Sequence, residues 1–340
     1  MQKRGLIILA AATLVLVVLA VVAIATGDRT VSRAGPGEAA FPALAGKLGE
    51  VASVGLKRGI LELTFVRDGD DWLVVEKGNY PAAAGKIRQI VLGMADLALV
   101  EPKTQKAEFY PRLELDDPGK GKATLVALKD KSGVSLAEVI IGKRRYDRLG
   151  AGNDGVYIRK PGDPQAWLAR GSLEFSDQLS SWLDRRIVDL PEKRIAKVTL
   201  TQPDGAKLVI TRPGPDAQFT VEDAPADAKF KSETTTRGPA LALETLDLDD
   251  VKPGADLPVP DKDVFTASFV TFDGLTVDVR LFDRDDMHWI AVSATGTGAA
   301  VAEAKEIDGK VGRWIYAVPS YKAIALKTKL ADLLEPAKGS

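Results

Sequence analysis

Residues 51–76, VASVGLKRGILELTFVRDGDDWLVVE, decide the fold because residues 195–221, IAKVTLTQPDGAKLVITRPGPDAQFTV, answer them landmark for landmark. Val51, Val54, Leu56, Arg67, Trp72 and Val74 of the first stretch correspond to Ile195, Val198, Leu200, Arg212, Phe219 and Val221 of the second. Apolar and polar residues alternate in both, as strands with one buried face require, and Asp68-Gly69-Asp70 supplies a turn. The correspondence continues from Leu92, Leu97, Val100 and Pro102 to Leu243, Leu248, Val251 and Pro253. It runs on from Trp167, Leu179, Leu183 and Ile187 to Trp314, Leu326, Leu330 and Leu334, with one offset throughout those four pairs. A duplication of this length is expected to build two similar bodies side by side, so that function uses a surface they form together.

Between the strands of the first unit the period changes. Ile87, Ile90, Val91 and Met94 recur at helical spacing after Pro81, which predicts a helix within 81–99 lying on the sheet. Hairpins are expected through Ser132-Gly133 and through Pro161-Gly162-Asp163. Leu179, Leu183 and Ile187, at i, i+4 and i+8, predict a closing helix. The second unit repeats the scheme, but Thr234, Thr235, Thr236, Gly238 and Pro239 shorten or break its covering helix. A hairpin through Asp273-Gly274 and a closing helix over 320–334 complete it. The expected fold class is α+β: two tandem repeated domains, each an antiparallel sheet with helices packed on it, behind an N-terminal transmembrane helix.

That helix is read from Leu6 to Ala25, where Thr13 alone is polar; at about 1.5 Å per residue the run spans roughly the 30 Å of a hydrocarbon core. Lys3 and Arg4 before it and Asp28 after it favour a cytoplasmic N-terminus with the rest of the chain outside. Ala23-Ile24-Ala25 could serve as a signal cleavage site, but the apolar run is longer than a signal needs, so an uncleaved anchor is preferred. The expected organisation is a stub and anchor over 1–27, a flexible Gly/Pro-containing linker over 28–46, one domain over 47–190 and another over 191–336. The net charge of −1 gives no bulk basic field for nucleic acid, and none is expected as a partner. The chain has no cysteine, which excludes disulfides and thiolate metal ligands.

No motif defends a catalytic, metal or cofactor site. Gly150-Ala151-Gly152-Asn153-Asp154-Gly155 has the glycine spacing of a dinucleotide fingerprint, but it runs into the strand Val156-Tyr157-Ile158, so a hairpin loop is the better reading. His288 is the only histidine and is read as a strand-end residue. Aspartates gather at 68, 70 and 71, at 116 and 117, at 247, 249 and 250, and at 283, 285 and 286. Oxygen-rich loops can hold calcium, yet these lack the twelve-residue loop pattern and fall at predicted turns. The repeat-equivalent Trp167 and Trp314 are expected in the core. One local charge bias stands out, Lys143, Arg144, Arg145 and Arg148 with Arg159 on the paired strand; if one surface contacts an acidic partner or lipid headgroups, it is this one.

Asn79-Tyr80-Pro81, the stretch from Leu97 to Thr104, Tyr110-Pro111-Arg112-Leu113, Gly155 to Arg159, Trp182-Leu183-Asp184-Arg185 and Val318 to Ala323 together resemble the bacterial domain-of-unknown-function 4340 family. The resemblance implies a membrane-anchored extracytoplasmic protein associated with the ATPase and permease of an uncharacterised ABC transport system, often with an auxiliary membrane protein. It lends no catalytic residue. The expected function is a non-enzymatic accessory or substrate-engaging subunit in the bacterial inner membrane, single-pass, with both domains in the periplasm. The alternatives are a periplasmic hydrolase using paired carboxylates such as Asp283 and Asp286, or a cell-envelope scaffold.

Overall fold

In a computed structural model the described residues are 37–146 and 155–335. The first sheet begins with the meander that the sequence announces: β1 (Ser53–Arg58), β2 (Leu61–Asp68), β3 (Asp71–Val74) and β4 (Tyr80–Pro81). A helix, α1 (Ala84–Ala95), follows, and Ile87, Ile90, Val91 and Met94 are its buried residues, so the 3.6-residue period selects the face that meets the sheet. Then come β5 (Ala98–Pro102), the short α2 (Tyr110–Leu113), β6 (Thr124–Lys129), β7 (Ser135–Arg145), β8 (Gly155–Arg159) and β9 (Ala166–Arg170). The nine strands are ordered β4-β3-β2-β1-β6-β7-β8-β9-β5, each antiparallel to its neighbours.

Strand β10 (Arg186–Val188) leads to the second large sheet, through β11 (Ile195–Thr201), β12 (Lys207–Thr211) and β13 (Thr220–Val221). After α3 (Glu233–Arg237) come β14 (Leu246–Asp247), β15 (Asp250–Pro253), β16 (Phe265–Thr271), β17 (Leu275–Arg284) and β18 (Met287–Gly296). Helix α4 (Val301–Val311), β19 (Trp314–Val318), α5 (Ser320–Leu326) and α6 (Leu330–Leu333) finish the described chain. The second sheet is ordered β13-β12-β11-β16-β17-β18-β19-β15, the order of the first without its β4 edge. Pro102 opposes Trp167 in the first sheet, and Pro253 opposes Trp314 in the second. Mixed α+β architecture with antiparallel sheets is therefore what the sequence builds.

Several local expectations are corrected. Leu179, Leu183 and Ile187 do not share a helix: Leu179–Trp182 is a single 3₁₀ turn, Leu183 bridges to Ala82, and β10 pairs with β14. Long-range backbone pairing overrides the local period there. The closing helix expected over 320–334 is split into α5 and α6. Helix α4, which carries Ala304 and Val311 inward, was not read from the sequence, because its buried stripe is made largely of small residues. Of the linker expected over 28–46, residues 28–36 lie outside the described residues and residues 37–46 are held in the fold. Gly37 and Ala40 donate to the carbonyls of Leu99 and Leu97, Ala39 bridges to Ala98, and Ala40 and Leu44 are buried. This short strand covers the β5 edge, which would otherwise present unpaired amides and carbonyls. The apolar run Leu6 to Ala25 lies outside the described residues, and among the described residues no helix is long and apolar enough to cross a membrane.

The two large sheets share one continuous apolar cluster, from Ala40 through Leu56, Trp182 and Leu243 to Leu333. One place where they meet is Gly78. Its φ of 66° is a left-handed conformation, and a Cβ there would stand 2.5 Å from Pro253 Cγ and 3.7 Å from the Trp314 ring. Beside it Lys77 forms an ion pair of 2.7 Å with Asp250, and the Tyr80 ring meets Trp314 edge-on at 5.0 Å. Gly59 has a similar φ of 56° with nothing within 4 Å of a Cβ. Gly78→Ala is therefore expected to lower stability by about 1 kcal/mol or more beyond Gly59→Ala, since both incur the left-handed penalty and only the former forces the sheets apart. Denaturant unfolding of the two variants measures the difference, and equal losses would mean that the junction yields freely.

Candidate functional site

The sequence-selected basic hairpin lies on β7 and β8. Lys143 and Arg145 are exposed on β7, and Arg144 between them is half-buried, paired with Glu174 at 2.6 Å and placed over the Tyr146 ring at 5.0 Å. Arg159 is not part of that surface. It is 7% exposed, its guanidinium stacks 4.5 Å from the Tyr110 ring, and Nη2 donates to the Asp117 carboxylate at 3.1 Å and to the Leu115 carbonyl at 3.3 Å. Arginine is suited to such a seat because its flat cation can stack and donate at once. Arg148 lies outside the described residues, as does most of the glycine run 150–155; Gly155 itself opens β8. Among the selected cations, the structure leaves Lys143 and Arg145 as the exposed ones.

The other ionisable groups that suggested chemistry hold structure. Asp285 and Asp286, with φ of 53° and 59°, form the tight turn between β17 and β18. Asp283 accepts from His288 Nδ1 at 2.7 Å and from Lys327 Nζ at 2.6 Å. Burial works to raise the Asp283 carboxyl, but Lys327 and His288 outweigh it and hold the group below its ordinary value. An ionised carboxylate held by two donors suits neither a general acid nor a strong base. Asp117 is tied to Arg159, Asp247 to Arg186 at 2.7 Å and Asp250 to Lys77. Among the described residues no three His, Asp or Glu groups could share a metal ion.

A denser constellation lies at the junction of the sheets. Tyr80 Oη donates to the Asp184 carbonyl at 3.0 Å, Pro81 accepts from the Asp184 amide, and Ala83 N donates to Trp182 O. The Arg185 carbonyl accepts from Leu248 N, and Lys310 Nζ reaches the Asp184 carboxylate at 3.1 Å and the Arg186 carbonyl at 2.7 Å. Lys322 is buried and donates from Nζ to the carbonyls of Leu241, at 3.0 Å, and Glu244. Burial above all lowers its ammonium's pKa. Burial, and next the Asp184 carboxylate, push the Tyr80 phenol above its ordinary value; burial does most of the same at Tyr316, whose ring lies 6.2 Å from that of Tyr80. Both phenols remain protonated. The arrangement fixes the angle between two sheets, with buried donors aimed at main-chain carbonyls.

Sequence reasoning missed a second set of paired charges, of which Glu192 and Arg212 are buried. Glu192 is 8% exposed, accepts from Arg237 Nε at 2.7 Å, and faces Arg212 Nη1 at 3.7 Å. Arg194 forks onto Glu303 at 2.7 and 2.8 Å and onto Asp273 at 2.7 Å, and its hydrogen bond is the main cause that holds the Glu303 carboxyl below its ordinary value. The signal available was the recurrence of arginine at repeat positions 67 and 212.

A family model described as a domain of unknown function (DUF4340) matches residues 72–263, more than half of the chain. No curated protein matches, and no solved structure matches.

A carboxyl held low in the folded state adds stability above its unfolded pKa and loses it as pH falls through the folded one. For Asp283 that window lies below the ordinary 3.8. Asp283→Asn should therefore be less stable than the parent near neutral pH, by no more than about 1 kcal/mol because the bridge is half exposed. Thermal unfolding at stepped pH should show the gap closing on acidification below the aspartate range. A gap independent of pH would mean that the ionised bridge contributes nothing.

Proposed function

This chain belongs to the domain-of-unknown-function 4340 family, and on that footing we propose that it is a non-enzymatic, membrane-anchored accessory or substrate-engaging subunit of an ABC-type transport system. In this reading Leu6 to Ala25 anchors the chain in the bacterial inner membrane. Two tandem α+β domains, 47–190 and 191–336, stand in the periplasm against the permease or an auxiliary membrane protein. The identical order of the eight strands common to both sheets supports the tandem division.

The observation that carries the docking reading is where the motifs of the family resemblance lie. Tyr80 donates to the Asp184 main chain, the Arg185 carbonyl accepts from Leu248 across the junction, and Lys322 donates to the carbonyls of Leu241 and Glu244 beside it. Motifs that serve a reaction converge on a place where a substrate can sit; these set a fixed angle between two bodies, which a docking protein needs for its partner to read both at once. Lys143 and Arg145 are exposed and could serve as a cationic contact, with Lys143 over the Tyr157 ring at 6.0 Å and Arg145 near enough to Glu101 to help hold its carboxyl low.

Purification of the full-length protein in mild detergent should bring down an ATPase and a permease, and a reporter active only in the periplasm, fused after Ser340, should be active. Reversal of Lys143 and Arg145 to Glu should weaken that association several-fold at low ionic strength, with the effect shrinking as salt is added. Recovery of the chain alone, with Asp283→Asn or Asp286→Asn abolishing a measurable hydrolysis, would replace the docking reading by the enzymatic one.

A further inference from the structure

The two sheets carry the same arginine at the same place and use it differently. Arg67 N donates to Ala52 O at 2.9 Å, and Arg212 N donates to Ala196 O at 3.0 Å. Arg67 opposes Trp72 across β2 and β3; Arg212 and Phe219 are the next rung after Thr211 and Thr220 across β12 and β13. The neighbouring hairpins turn at glycines of like conformation, Gly133 with φ 80° and Gly274 with φ 92°.

In the second sheet the corner is closed from within. Arg212 is 6% exposed, with its guanidinium 4.4 Å from the Phe219 ring and 5.9 Å from the Phe272 ring. Its nitrogens donate to the carbonyls of Ile195 at 2.8 Å, Pro215 at 2.9 Å and Glu192, and the Glu192 carboxylate lies alongside. The chain thus fills the corner with one carboxylate and a turn that presents a carbonyl.

In the first sheet those pieces are missing. Strands β2 and β3 are joined directly at Gly69, so there is no loop in the place of Pro215. By register Leu48 stands where Glu192 does, and Lys131 where Phe272 does. What remains is an open cleft of about 610 Å³ walled by residues 49–52, by Arg67 and Gly69, and by the turn 130–132. Arg67 is exposed, with Nε on the Gly69 carbonyl at 3.0 Å. Its two Nη groups and the Lys131 ammonium have no partner among the described residues. Glu50 and Asp130 also line the cleft and balance Arg67 and Lys131 in formal charge, with one Asp130 oxygen turned to the amides of Ser132, at 2.8 Å, and Val134, at 3.0 Å.

We propose that the cleft around Arg67 binds an acidic polypeptide segment of another protein, which supplies in trans the carboxylate and carbonyl-bearing turn that Glu192 and Pro215 supply in cis at Arg212. The chemistry follows from the donors: a guanidinium fork recognises a carboxylate through two parallel hydrogen bonds, and Lys131 adds a second cation where the other sheet has an aromatic ring. A cleft of this size holds a few residues of extended chain.

The test uses the purified full-length protein alone, so that its outcome does not depend on the transport reading. Fluorescence polarisation of a labelled peptide, GPEEPG, is compared with its neutral twin, GPQQPG. Saturable binding is expected for the acidic peptide and about tenfold weaker binding or none for the neutral one, weakening with added salt. Arg67→Ala and Lys131→Glu should each reduce affinity about tenfold, while Lys207→Ala, exposed on β12, should leave it unchanged. Arg67 is exposed, so an unchanged melting temperature of Arg67→Ala confirms that folding is intact; Arg67→Lys should restore part of the affinity. Equal binding of both peptides, equal binding by Arg67→Ala and the parent, or no saturable binding of either would overturn the proposal. So would competition by free acetate as effective, per carboxylate, as unlabelled GPEEPG, because the cleft would then recognise an anion and no polypeptide.

Discussion

The contact of Gly78 with Pro253 and Trp314 is the constraint on which the rest of the molecule depends. Two twisted sheets can pack at many angles. Here the absence of one side chain lets the backbone of the first sheet's edge come down onto the second. Once that distance is set, the Lys77–Asp250 pair can close at 2.7 Å and the Tyr80 ring can meet Trp314 edge-on at 5.0 Å. Each of these is a short-range interaction of steep distance dependence, so none forms if the sheets stand farther apart. The single apolar cluster that runs through both sheets follows from the same approach.

Duplication explains the topology and also its asymmetries. Both sheets bury alternate residues of their central strands, Val54 and Leu56 in one, Val198 and Leu200 in the other. They differ where loops differ. The long connection between β12 and β13 lays Pro215 over Arg212, whereas the direct turn between β2 and β3 leaves Arg67 uncovered. A buried arginine is tolerated at position 212 because three carbonyls, a carboxylate and two rings replace its hydration; the first sheet offers Arg67 the Gly69 carbonyl alone and keeps its arginine in water.

The strands and hairpins were legible in the sequence because period-two patterning and turn residues are local signals, and α1 was legible because four apolar residues mark one face of it. The 3₁₀ turn and β10 in place of a closing helix were not, since Leu183 finds Ala82 and Arg186 finds Asp247 across long stretches of chain. Arg159 reads as one more surface cation beside Lys160 until Tyr110 and Asp117, more than forty residues upstream, enclose it. Of the basic cluster, then, only the local fact of its charge was readable. The junction was half visible: Tyr80, Asp184 and Lys322 fall in motifs, but nothing in those motifs says that Tyr80 donates to the Asp184 carbonyl or Lys322 to those of Leu241 and Glu244.

The way the chain joins its first sheet has a mechanical consequence. Any load arriving from the N-terminal side reaches the folded body through Gly37 to Ala40, which lie antiparallel to β5 and are held by the Gly37–Leu99, Leu99–Glu38 and Ala40–Leu97 backbone bonds. A pull directed along that strand stretches the three bonds together, in shear, while a pull across it opens them one after another. The attachment is therefore stiff in one direction and weak in the other, and the buried Leu44 just beyond it acts as the stop that keeps a peeled strand from drawing out the core.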